Sequence, residues 1–188
     1  MHPNKIHSPP SGWEGFLERT LQSRILVYII IFPLALLLYW DTIGLYFFSD
    51  DFGSLYRAIY HFNFQSIFVN QFFNGFFYRP LSFDFSFKLG HVIFGLNPTG
   101  YRLIVVLLFC ITCILVYETV SLVTKRKDVG FLAMFFFLTR AAHGGIIMWL
   151  SAGFQQLGAS LFMLGAFYLF ARYKQFPLSG RWHYPLLR

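Results

Sequence analysis

The chain has 188 residues, 56% of them apolar and 22% aromatic, with only 12% charged. So few polar groups cannot cover a soluble fold of this size, so the composition points to an integral membrane protein and excludes an ordinary water-soluble domain. The net charge is +7, but 26 Phe against 8 acidic residues argues against nucleic-acid binding.

In chain order, residues 1–24 form a polar tail with Pro3, Pro9 and Pro10, ending in a stretch from Trp13 to Arg24 able to form an interfacial helix. Ile25 to Trp40 is free of charge, and Tyr39, Trp40 and Tyr46 gather at its far end as an aromatic belt would, which predicts a first span over 25–46. No small-residue cleavage site follows it, so it reads as a retained anchor and not a cleaved signal. Residues 47–100 form a large external loop. Within it Ser49-Asp50-Asp51-Phe52 heads a surface helix continuing through Leu55, Tyr56 and Ile59, and Arg79 to Leu96 carries Asp84, Lys88 and His91 on one helical face, as an amphipathic helix would. Further spans are expected over 101–124, 129–149 and 154–173, about the length a bilayer requires. The third contains Arg140 and His143 before Gly144-Gly145, so it is expected to cross and then break near one face. Residues 174–188 close the chain as a second tail. Cys110 and Cys113 lie within an apolar run and read as packing residues.

The basic residues choose this topology. With four spans both tails are cytoplasmic, and ten of the fifteen Lys and Arg side chains fall on the inner side, including the run Lys125, Arg126 and Lys127. A fifth span at 79–96 would move that run outside. The expected fold is therefore an all-α membrane protein of about four transmembrane helices, with amphipathic juxtamembrane helices in the first external loop.

Three groups carry candidate chemistry, all on the external face. Asp50 and Asp51 are either helix-capping residues or a carboxylate pair whose mutual influence tunes a general base. Arg79, with Pro80 at the first turn of a helix, is either a phosphate clamp or a solvated interfacial cation. Arg140 and His143 sit at membrane depth, where ionisable groups mark a cavity or a partner. The plainer alternatives are snorkelling for Arg140 and core packing for His143. Asp84 with Lys88 reads as an i,i+4 pair on the wet face.

The acidic pair, Phe77-Tyr78-Arg79-Pro80-Leu81-Ser82, Gly95-Leu96-Asn97-Pro98, Tyr101-Arg102-Leu103 and Val116-Tyr117 follow one another in an order that resembles the GT-C membrane glycosyltransferases. Within them the likeness is to the N-terminal part of the transmembrane and TPR-repeat-containing O-mannosyltransferases and, more distantly, the protein O-mannosyltransferases, over residues 45 to 173. The resemblance implies sugar transfer from a polyprenyl-phosphate donor to an acceptor on the external face. It carries the catalytic acid over to Asp50 or Asp51, the Arg-Pro-Leu segment to Arg79, Pro80 and Leu81, and the His closing the third span to His143; Trp149-Leu150-Ser151 also matches. Arg79, Arg140 and His143 would then hold the donor phosphate. This chain departs from the pattern at Arg140-Ala141-Ala142-His143-Gly144-Gly145, which holds no acid, and at Gly153-Phe154-Gln155-Gln156, where relatives carry Gly-Arg-x-Asp. The second acidic site is missing, so no cofactor is expected and a divalent metal has no support.

The rival expectation is a non-catalytic membrane subunit or degenerate fragment that binds lipid-linked sugars. Expected partners are the polyprenyl-phosphate donor, the bilayer and a second chain completing the fold, with no nucleic acid. A multi-pass protein without Asn-x-Ser/Thr sequons or a cleavable signal is expected in a bacterial inner membrane before the endoplasmic reticulum.

Overall fold

The computed structural model describes residues 24–63 and 79–175. The expected interfacial helix of the N-terminal tail, Tyr78, and most of the C-terminal tail lie outside the described residues. What is described is all-helical: α1 (Arg24–Leu38), α2 (Trp40–Ile43), α3 (Asp50–Tyr60), a π-helical turn (Pro80–Phe85), α4 (Ser86–Phe94), α5 (Pro98–Thr124), α6 (Lys127–Thr139), α7 (Ala142–Met148) and α8 (Leu150–Gln175).

Two of these helices, α5 and α8, are long and apolar enough to cross a membrane, and α6 with α7 makes a third candidate if the pair, bent by 61°, counts as one span. The expected break therefore exists, but it falls at Arg140-Ala141, ahead of the two glycines. The expected first span is shorter than 25–46. α1 has 15 residues, about 22 Å of helix against roughly 30 Å of hydrocarbon. It stops at Leu38 because Tyr39 (φ −116°, ψ 19°) leaves the helical region, and Asp41 follows within the next short helix.

α5 is the central post. Half of its apolar window is buried, against 11% for α8, and α1, α6 and α8 all pack on it. Asn97 starts it by accepting the Thr99 N–H at 3.1 Å, with Pro98 in the first turn. α4 lies close against this start. A Cβ at Gly90 would stand 2.3 Å from the Tyr101 ring and one at Gly100 2.2 Å from the Phe94 ring, so each helix supplies a glycine where the other supplies an aromatic ring.

Cross-connections fix which ends lie together. At the lower end of the bundle, Tyr28 of α1 donates to the Glu118 carboxylate of α5, and Arg24 lies 3.6 Å from the same oxygen, so the acid within the apolar span is paired. At the upper end, the Tyr39 hydroxyl donates to the Leu138 carbonyl at 2.9 Å, filling an acceptor left open where α6 ends. Cys110 and Cys113 are free and buried, as expected of packing residues.

Among the described residues Arg102 is the largest fully buried side chain. Its guanidinium donates to Leu45 O (2.7 Å) and Tyr46 O (2.6 Å) in the segment after α2, and to Met148 O (2.8 Å) and Ile147 O (3.4 Å) at the end of α7. The last carbonyls of a helix have no intrahelical donor, and the planar fork of Arg reaches two chain segments at once. Arg102→Met should lower stability by at least about 3 kcal/mol, because several buried carbonyls lose their donor. Thermal unfolding in detergent reads the loss, and Arg102→Lys, with one ammonium in place of the fork, should recover only part of it.

Candidate functional site

The site is built on the start of α8. Trp149 is extended (φ −102°, ψ 102°) between α7 and α8, which leaves the first N–H groups of α8 without partners. Asp51, fully buried in the first turn of α3, fills that need: one carboxylate oxygen accepts the Ser151 N–H at 2.8 Å and the Ser151 hydroxyl at 2.7 Å. Its other oxygen accepts the Phe48 N–H at 3.1 Å. The Ser54 and Ser151 hydroxyls stand 3.4 Å apart beside it. A carboxylate at a helix N-terminus is also favoured by the helix dipole, and the buried guanidinium of Arg102 lies near enough to attract it.

The two neighbouring acids thus separate in role. Asp51 is a cap, of α8 and not of its own helix, with both oxygens engaged. Asp50 is exposed, and among the described residues the Ser49 hydroxyl donates to it at 3.4 Å. The turn that delivers the pair is strained, since Ser49 has φ 49° and ψ −116°, a backbone region that residues with a Cβ seldom occupy.

One turn further along α8, Arg79 donates to the Gln155 side chain. Ser151 and Gln155 are four residues apart and share a helix face, so Asp51 and Arg79 are held in succession along one stripe. Past Gln155 the same stripe borders a cavity of about 840 Å³ whose apolar wall includes Leu108, Phe154, Leu161, Phe162 and Phe85. Arg79 and Gln155 form its polar lip, with Ser82 and Ser86 nearby. From Gln155 to Phe162 the groove follows α8 for about 10 Å.

Arg140 and His143 do not join this group. Arg140 is exposed at the α6–α7 break. His143 is buried, its ring 4.5 Å from that of Phe137 and 5.2 Å from that of Phe109, and neither ring nitrogen has a partner among the described residues. That is the packed-histidine alternative.

Sequence reasoning assigned no role to Arg102, Ser151 or Gln155. An arginine inside a long apolar run was a usable signal for Arg102; nothing local marks the serine or the glutamine. The expected Asp84–Lys88 pair is replaced. Asp84 pairs with Arg57 of α3 at 3.3 Å, and Lys88 lies 5.8 Å from the Phe62 ring centre. The π-helical turn, with its i→i+5 bonding, shifts Asp84 out of α-helical register with Lys88. Among the described residues, no three His, Cys, Asp or Glu side chains come together as a metal site. The chain matches no family model, no curated protein and no solved structure.

Two expectations follow from these contacts. In Asp51→Asn the new amide turns N–H donors toward either Phe48 N–H or the Ser151 donors, so stability should fall by about 1–3 kcal/mol, while Asp50→Asn should leave it within about 0.5 kcal/mol; thermal melts of the two variants side by side provide the check. For Asp84, burial raises the carboxyl above the ordinary carboxylate range and Arg57 draws it only partly back. The folded state then keeps this proton to higher pH than the unfolded chain, so the contribution of Asp84 to stability declines as pH rises from the ordinary carboxylate range through the raised value. Melts across that window should show a decline that Asp84→Asn removes.

Proposed function

We propose that the chain is a membrane glycosyltransferase of the GT-C type, or the N-terminal part of one, transferring a sugar from a polyprenyl-phosphate donor to an acceptor at the upper, external end of the bundle. The observation that carries this reading is the apolar groove of about 840 Å³ with Arg79 at its lip. A lipid phosphate needs these two environments in this order: a cation with planar donors for the headgroup and an apolar channel for the chain. The exposed carboxylate of Asp50 lies at the same end, one residue from the cap that ties α3 to this stripe.

In this reading Asp50 accepts the proton of the acceptor hydroxyl as its oxygen bonds to the anomeric carbon of the sugar. The bond from that carbon to the phosphate oxygen breaks, and the electron pair leaves with the phosphate, whose charge Arg79 stabilises. A phosphate leaves readily once its charge is stabilised, so the reaction does not require a second acid. Asp51 holds the start of α8 and does not touch the reactants. A multi-pass protein of a bacterial inner membrane, completed by a second chain, fits this chemistry.

The second reading, a non-catalytic subunit that binds lipid-linked sugars, uses the same groove without Asp50. It is favoured by the complete engagement of Asp51, the acid most deeply placed in the site. Photo-crosslinking with a polyprenyl phosphate should label the groove, and Arg79→Gln should weaken labelling about tenfold. Where transfer is measurable, Asp50→Asn should abolish it with labelling intact. Normal transfer by that variant removes Asp50 from the mechanism, labelling without transfer by the wild type leaves the binding subunit, and absence of labelling sinks both.

A further inference from the structure

The opposite end of the bundle has a different electrostatic character, independent of the proposed transfer. There the Gln175 side-chain amide donates to the Leu122 carbonyl at 2.7 Å, which brings the last turn of α8 against the last turn of α5. α5 ends at Thr124, the left-handed backbone of Lys125 (φ 58°) turns the chain, and α6 starts at Lys127. Lys125, Arg126 and Lys127 from the turn therefore gather beside Arg172 and Lys174 from α8, all of them exposed. Among the described residues the nearby acids are engaged: Asp128 accepts from Arg126 at 3.2 and 2.5 Å, and Glu118 is held by Tyr28 and Arg24. The upper end, by contrast, mixes signs, with Asp41, Asp50 and Asp84 among Arg57, Arg79, Lys88 and Arg140.

Apolar groups border the basic cluster. Phe170, Tyr173 and Val123 are more than half exposed, and the Lys174 ammonium reaches back to 5.8 Å from the Phe170 ring centre. Cations above exposed rings match the boundary between headgroups and acyl chains, where Lys and Arg extend toward the water.

We propose that this end of the bundle is a docking surface for anionic phospholipid headgroups, with Lys125, Arg172 and Lys174 taking the phosphodiester and Phe170 and Tyr173 lying against the first acyl carbons. The turn and α8 contribute jointly, so the surface exists only because α8 returns to the end of α5.

Native mass spectrometry of the full chain, equilibrated with equal amounts of phosphatidylglycerol and phosphatidylcholine, tests this. The wild type should retain phosphatidylglycerol preferentially, Lys125→Gln and Lys174→Gln should each cut the preference about fivefold, and Lys88→Gln at the other end should leave it unchanged. The wild-type preference should also shrink as salt rises, a readout that holds even if a variant fails to fold. Equal retention of the two lipids, a preference untouched by the two substitutions or by salt, an equal loss in Lys88→Gln, or full displacement by inorganic phosphate would each overturn the proposal.

Discussion

The architecture depends on a break in the helices that must be satisfied away from water. Between α7 and α8 the chain is extended for one residue, leaving carbonyls on one side and N–H groups on the other without helical partners. In apolar surroundings each such group costs several kcal/mol if left open. Two buried charges of opposite sign close the gap: Arg102 takes the carbonyls of Ile147 and Met148, and Asp51 takes the N–H and hydroxyl of Ser151. Neither charge would be tolerable alone at full burial. Each is compensated by backbone dipoles and, at longer range, by the other.

This pair of contacts also positions the rest of the upper end. Arg102 binds the segment at Leu45 and Tyr46 as well as α7, so the chain leaving α2 is pinned to the break ahead of the strained turn at Ser49. Asp51 then places α3 across the start of α8. With α3 fixed, its Arg57 reaches Asp84 within the π-helical turn, and Arg79, just ahead of that turn, bonds to Gln155. The groove is thus the last consequence of a chain of contacts that starts at a helix break.

The two ends of the bundle solve different problems. The upper end buries two charges, Asp51 and Arg102, to stabilise irregular backbone and mixes signs at its surface. The lower end needs little such support, because α5 and α6 are joined by a tight turn, and its cations remain at the surface. His143 follows neither pattern: it is enclosed by Phe109 and Phe137, and its ring serves the packing between α5 and α6.

The sequence by itself determined the helical class, the places of α3, α5 and α8, the break in the 129–149 segment and the basic turn at 125–127. Each is a local property: an apolar run of bilayer length, an acidic helix start such as Ser49-Asp50-Asp51, or a cluster of like charges. Tertiary structure decided which of two adjacent acids is buried. Asp50 and Asp51 have the same chemistry, and only the approach of Ser151, a hundred residues away, separates a cap from an exposed carboxylate. It likewise gave Asp84 to Arg57 in place of Lys88, and joined Arg79 to Gln155, whose significance no local pattern carries. Long-range pairing depends on where helices cross, and that is set by packing around α5, which the spacing of residues along one segment does not encode.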